Sequence, residues 1–285
     1  MKNLVCMFIV TLLLAPFASG AYQIRMELWR DTVDEDYMNP DNWNNDRVPD
    51  GFWDTGSDDV GIYRALCKAD YTTSPVNITI GSSDSVEVCR IDLDRRATAS
   101  QTLTVQGSLT VTPYDTDSSA SNGNVVLGAR ADETYPTDLT SNLVIDGGTV
   151  NLQNTVNYDF YGLCTTELLN GGQLNAGALS MNGRADTGAL NIINGVADLN
   201  NLSGVSSPGE IVRIGLDGTL KLGGEVDISN WIDNGNMVAA YGATALEHYY
   251  DDGEQKTIIY GVPEPATLAL LGFGGLGLLH RRKRA

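Results

Sequence analysis

The chain predicts an all-β fold, a single-stranded right-handed parallel β-helix with an N-terminal cap, and two observations carry that expectation. The first is an internal repeat of alternating apolar strands broken at glycine. It runs through Leu103–Val111 around Gly107, Leu143–Leu152 around Gly147, Leu168–Ala176 around Gly171, Leu190–Leu199 around Gly195 and Ile214–Leu222 around Gly218. These glycines lie 40, 24, 24 and 23 residues apart, so the last four form a ladder with a period of about 24 residues. The second is composition: 31 glycines and short apolar runs that alternate with polar residues.

Within each repeat, an Asn/Asp-Gly or Gly step between alternating strands has two readings. A local β-hairpin would place Asn/Asp and Gly in a type I′ turn. A solenoid would use the same step as a coil corner. Hairpins alone do not impose a fixed period, whereas a coil that must stack on its neighbour does. The solenoid is therefore preferred, with Leu143, Ile145, Val150 and Leu152 inside and Val144 and Asp146 outside. Gly147, Gly171, Gly195 and Gly218 are expected at equivalent corners. A second echo, Gly128-Ala-Arg130-Ala-Asp132 and Gly183-Arg184-Ala-Asp186, recurs ahead of the next strand.

Residues 21–100 differ in character and are expected to form the N-terminal cap, with residues 101–260 as solenoid and C-terminal cap. Trp29, Trp43 and Trp53 cluster here around Asn39-Pro40-Asp41-Asn42-Trp43 and Arg47-Val48-Pro49-Asp50-Gly51. A cap is physically required, because a first coil without one exposes apolar interior and an unpaired strand edge. Trp43 is expected in the cap core; Trp29 and Trp53 are where any sugar stacking would fall. From Glu225 to Tyr260, Trp231, Tyr249-Tyr250 and Lys256–Tyr260 read as a closing cap with no long linker after it.

Both ends read as targeting segments. Lys2, the apolar Leu4–Leu14 and Ala18-Ser19-Gly20 form a signal peptide over residues 1–20, with signal peptidase cleaving before Ala21. At the other end, Val262-Pro263-Glu264-Pro265 precedes a 14-residue apolar run, Ala266–Leu279, and then Arg281, Arg282, Lys283 and Arg284. As a helix that run spans roughly 21 Å, a short transmembrane segment and a poor permanent anchor. The four cations would stay on the cytoplasmic side and leave the rest of the chain outside.

Removing Lys2, Glu264 and the four tail cations from the 18 Lys+Arg and 36 Asp+Glu leaves 13 and 35, a formal charge of −22 over residues 21–262. That excludes nucleic acid as a natural partner. Carboxylates at this density could hold hard cations diffusely, but neither Asp115-Thr-Asp117 nor Asp251-Asp252-Gly253-Glu254 has a calcium-loop spacing. No metal or cofactor site is expected. Of the three cysteines outside the signal peptide, an oxidising exterior permits a Cys67–Cys89 disulfide with Cys164 left over; three buried, unpaired cysteines are the equal alternative. No catalytic residue is assigned. The mature chain has one histidine, His248, and the cations of the coils are Arg130, Arg184, Arg213 and Lys221. An outward cluster of carboxylates with a cation across neighbouring coils would instead mark a polysaccharide lyase.

The order Val-Pro-Glu-Pro, short apolar helix, Arg-rich end closely resembles the PEP-CTERM sorting signal over residues 262–285. The resemblance implies cleavage by an integral-membrane exosortase near Pro263, Glu264 and Pro265, transient inner-membrane anchoring, and delivery to the cell surface or extracellular matrix. The coils resemble the glycine-rich strand repeats found between signal peptide and PEP-CTERM signal in surface proteins. The Asn-Pro-x-Asn-Trp region resembles the cap ahead of β-solenoids in surface proteins of planctomycete-type bacteria. The resulting expectation is a non-enzymatic structural or adhesive surface protein. The alternative is a polysaccharide-binding or lyase-like β-helix, with extracellular polysaccharide as partner.

Overall fold

The computed structural model describes residues 23–28, 35–43, 48–49, 52–54, 60–67, 75–93, 100–113, 123–128, 140–158, 163–181, 187–205 and 209–263, the strands among residues 23–67 by their backbone only. Alternation of apolar and polar residues gives the strands, and those of successive coils pair in parallel rather than folding back as hairpins. One sheet of seven strands holds, in order, Met237–Ala239, Glu210–Ile214, Thr187–Ile192, Leu163–Leu169, Thr140–Asp146, Gln101–Val105 and Val76–Ile80. Every pairing in it is parallel. The second strand of each coil lies in a thirteen-stranded sheet, in which Thr149–Tyr158, Gln173–Ser180, Val196–Ser203 and Thr219–Gly223 run side by side. The chain is thus a parallel β-solenoid.

The long strand Thr149–Tyr158 turns a corner without a break. Gln153 and Asn154 are exposed, the register shifts between Leu152 and Thr155, and the two halves pair upstream with different strands, Ser108–Val111 and Asn124–Leu127. Each coil therefore presents three faces. Leu143, Ile145, Val150 and Leu152 point inward as expected, joined by Val156 and Tyr158.

The corner glycines align differently from the expectation. The backbone N–H of Thr149, Gln173, Val196 and Thr219 donates to the carbonyl of Gly107, Gly148, Gly172 and Gly195, respectively, at 2.8 to 3.0 Å. The stacked column is therefore Gly107, Gly148, Gly172, Gly195 and Gly218. Gly147 and Gly171 stand one residue earlier, at φ +74° and +84°, and form the turn itself. Two different demands share each Gly-Gly pair: the first residue needs positive φ, and the second has no room for a side chain. At Gly172 a Cβ would lie 2.1 Å from the Ile145 carbonyl oxygen of the preceding coil.

The boundary expected at residue 100 falls inside the stack. Val76–Ile80 pairs in parallel with Gln101–Val105, and parallel pairing continues through Arg90–Leu93 and Val60–Cys67 to Gln23–Leu28. The cap proper is smaller. Residues 35–37 add to the edge of the seven-stranded sheet, with Tyr37 N–H donating to Thr79 O and Thr79 N–H donating to Glu35 O. Pro40–Asn42 forms one turn of 3-10 helix, whose cap Asn39 accepts from Asp41 N–H at 3.1 Å. That turn drops Trp43 onto Tyr37, edge to face at 5.0 Å, both fully buried. Their polar ends are satisfied: Trp43 Nε1 donates to Tyr37 O and Tyr37 OH to Pro49 O, each at 2.9 Å. Trp43 is cap core, as the sequence indicates. Trp29 and the Trp53 side chain lie outside the described residues.

At the other end the parallel ladder is stopped by an antiparallel hairpin. Lys256–Val262 pairs antiparallel with Thr219–Gly223, and Ala245–Asp251 pairs antiparallel with Lys256–Val262. Glu247, His248 and Asp251 place charged and polar side chains on the outer strand, which discourages further strand addition. Trp231, on the short helix Ser229–Asp233, packs half-buried against the core.

The register also bears on the Cys67–Cys89 pairing. Cys67 stands opposite Leu93, four residues past Cys89. Cys89 lies in the bend just before that strand, and the three steps from Arg90 to Leu93 alone, at ~3.3 Å each, separate the two ends by about 10 Å, beyond the ~7 Å between Cα atoms that a disulfide spans. Cys89 and Cys164 are both buried.

Candidate functional site

Two features stand out: the exit of the chain from the solenoid, and the outer surface of the thirteen-stranded sheet. At the exit, Lys256–Val262 is held between two neighbours, and the next residue is the exposed Pro263. No linker separates the last paired strand from the Pro-Glu-Pro element. Glu264, Pro265, the apolar run and Arg281, Arg282, Lys283 and Arg284 lie outside the described residues, as does the signal peptide. Among the described residues no helix is long and apolar enough to cross a membrane.

On the outer sheet surface, the pairing brings Thr110, Asn151, Asn175, Asp198 and Lys221 into one row across successive coils. Asn175 Nδ2 donates to Asn151 Oδ1 at 2.9 Å. Beside this row, Thr112, Gln153, Gly177 and Asn200 form the bend, and together they floor a groove of about 680 Å³. Its end is closed by Lys256, paired with Asp198. Lys221 sits next to it, 2.6 Å from Glu254. The hydrogen bond to Glu254 holds the Lys221 ammonium above its ordinary value, with Glu254 and Asp198 charges adding to the effect. In register beyond Lys221 come Ile258 and then Tyr249. Tyr249 is 49 % exposed and meets Tyr260 edge to face at 6.3 Å.

This is an outward cluster of two carboxylates and two cations, the arrangement that would mark a lyase. A lyase base must give up its proton near neutral pH, and Lys221 is shifted the opposite way. On the first face, Arg213 NH1 donates to Asn191 Oδ1 at 3.2 Å and Asn191 Nδ2 to Glu167 Oε1 at 3.0 Å, a structural ladder across three coils. Arg130 and Arg184 lie outside the described residues. His248 borders a separate hollow of about 510 Å³ with Glu225, Asp227, Tyr249 and Tyr250. There the Ser229 N–H and hydroxyl, with a smaller contribution from His248, hold the Asp227 carboxyl below its ordinary range. Among the described residues no three His, Cys, Asp or Glu side chains converge as a metal site.

One unusual group is internal. The row Gln101, Ser141, Cys164, Gly188 and Glu210 points into the solenoid where the coils begin. Glu210 is 2 % exposed and its Oε2 has no hydrogen-bond partner. A Cβ at Gly188 would fall 2.0 Å from that oxygen and 2.9 Å from the Tyr158 ring, so the missing side chain at 188 makes the space for both. Burial pushes the Glu210 carboxyl up to about 7 and the Tyr158 phenol well above its usual range. Tyr158 OH donates to Ala189 O at 2.9 Å. Glu210 opens its strand on the inward side that Val212 and Ile214 share, where a carboxylate is not expected from residue type alone.

A parallel β-solenoid whose last strand passes without a linker into a Pro-Glu-Pro element defines a class: a repeat body carrying a C-terminal sorting signal. Residues 261–284 match the PEP-CTERM protein-sorting motif, and the chain carries that signal. The motif implies export through a membrane-associated exosortase to the cell surface. No curated protein and no solved structure matches the chain.

Proposed function

We propose that the protein is a non-enzymatic structural or adhesive component of the cell surface or extracellular matrix, released from transient membrane anchoring by exosortase cleavage near Pro263, Glu264 and Pro265. The observation that carries this reading is the unbroken passage from the strand Lys256–Val262 into the sorting motif. Cleavage there leaves the solenoid closed by its own hairpin, with no dangling anchor. The short apolar run and the cations Arg281, Arg282, Lys283 and Arg284 serve transit only. Signal peptidase removes residues 1–20, and the mature body is acidic and exported.

Intact-mass spectrometry of protein extracted from the cell surface tests the sorting step. The expected species begins at Ala21 and lacks Ala266–Ala285; recovery of the Arg281–Arg284 tail on surface material refutes it. Replacing Pro263 and Pro265 by Ala makes unprocessed protein accumulate in the inner membrane.

The rival, a polysaccharide-cleaving β-helix, is favoured by the Asp198, Lys221, Glu254 and Lys256 cluster. Against it stand the mutual pairing of those charges and the upward shift of Lys221. The expected result is that the surface-extracted protein releases neither reducing ends nor unsaturated uronides from acidic polysaccharides. Release that disappears in Lys221→Ala identifies an enzyme.

A further inference from the structure

We propose that the outer strip running from Thr110 to Tyr249 is a binding site for an uncharged polysaccharide chain laid along the solenoid axis. The inference builds on the surface assignment above but not on its details. Parallel coils stack ~4.8 Å apart, so Thr110, Asn151, Asn175 and Asp198 repeat a hydrogen-bonding side chain at that interval over roughly 15 Å. Asn and Thr side chains both donate and accept, which matches hydroxyl groups, themselves donors and acceptors. The groove beside the row is open and polar, and Gly177 lets the coils stack closely where they bend: a Cβ there would meet the Gln153 carbonyl oxygen of the preceding coil at 2.4 Å.

The far end of the row supplies the other element of sugar recognition. Tyr249 lies two strands beyond Lys221 on the same sheet surface, half exposed, its ring braced by Tyr260. Tyr260 is held in turn by its hydroxyl, which donates to Glu247 Oε2 at 2.8 Å. A braced, half-exposed ring offers a flat apolar surface to the C–H face of a sugar at little entropic cost. Asn–Asn ladders alone are common stack supports; the aromatic ring in the same cross-strand row, beyond the Lys256–Asp198 pair that closes the groove, distinguishes this strip.

Charge selects the class of polysaccharide. Both cations bordering the strip are already paired, Lys256 with Asp198 and Lys221 with Glu254. None is left to neutralise a uronate, and the −22 formal charge of residues 21–262 repels polyanions. The strip therefore suits a neutral glycan.

The test is affinity electrophoresis and calorimetry of the full exported protein with a neutral β-glucan, a neutral α-glucan and a galactomannan, with polygalacturonate as the acidic probe. At least one neutral polymer is expected to bind, with little dependence on salt. Tyr249→Ala and Asn175→Ala should each weaken binding about 5-fold, the equivalent of one lost stacking or hydrogen-bonding contact. Thermal unfolding of both variants should match the parent, which separates lost contact from lost fold. Absence of binding to all three neutral polymers, tighter binding of polygalacturonate, or neutral binding unchanged by either substitution overturns the proposal. None of these outcomes alters the mass of the processed chain, so the sorting assignment stands or falls separately.

Discussion

Gly172→Ala destabilises the solenoid by about 3 kcal/mol or more, whereas Gly171→Ala, one residue away, costs about 1–2 kcal/mol. The difference follows from which constraint each position carries. At Gly172 the added methyl lands 2.1 Å from Ile145 O and 3.0 Å from Leu169 O. Both are backbone carbonyls, and yielding would pull apart the stacking of one coil on the next. The Gly172 carbonyl itself accepts from Val196 N–H at 3.0 Å, so a shift there propagates to the following coil. At Gly171 nothing lies within 4 Å of the added atom, and the cost is only that of holding an L residue at φ +84°. Asn170, at φ 51°, already bears such a conformation. Urea denaturation followed by circular dichroism measures both. If Gly171→Ala proves the more damaging, the stacking column has been misplaced.

Glu210→Gln is expected to stabilise the protein by about 2–3 kcal/mol at pH 8 and to have almost no effect at pH 4. The carboxyl titrates near 4.5 when exposed and at about 7 when folded, because burial disfavours its charged form. The folded state therefore holds the proton more tightly than the unfolded state. Below pH 4.5 both states are protonated and the contribution is fully present. Between 4.5 and 7 the unfolded chain ionises first and stability is lost. Above 7 the loss is complete. The groups facing Glu210 do not offset it: Gly188 offers only its N–H, Tyr158 is held neutral by burial, and Asn236 binds the Glu210 backbone carbonyl at 3.0 Å. The many surface carboxylates give a pH slope of the same sign through self-repulsion, so the informative quantity is the difference between parent and variant. A difference that stays flat from pH 4 to 8 would falsify the burial of that carboxyl.

The residues that could be read directly were those whose role depends on periodicity or local chemistry. Leu143, Ile145, Val150 and Leu152 alternate, and alternation forces them to one side of a strand. Trp43 follows an Asn-Pro turn that can only drop it inward. Glu210, by contrast, shares the inward side of its strand with Val212 and Ile214, and a carboxyl is accommodated there because Gly188 on the neighbouring coil has no side chain. Tyr249 joins the polar row only through an antiparallel hairpin that swings it back across Ile258.

The sequence by itself determined the all-β class, the repeat of about 24 residues, the inward-facing aliphatic set and the sorting signal at residues 261–284. Each of these is written in spacing or in a contiguous motif, and neither needs a neighbour to be recognised. Only the tertiary structure decided the true glycine column, the start of the stack ahead of residue 101, the separation of Cys67 from Cys89, and the strip from Thr110 to Tyr249. All four depend on register, the offset at which one coil lies on the next. The spacing of 40 residues from Gly107 to Gly147, against 24 from Gly147 to Gly171, changes the path between coils without disturbing the alternation within any strand.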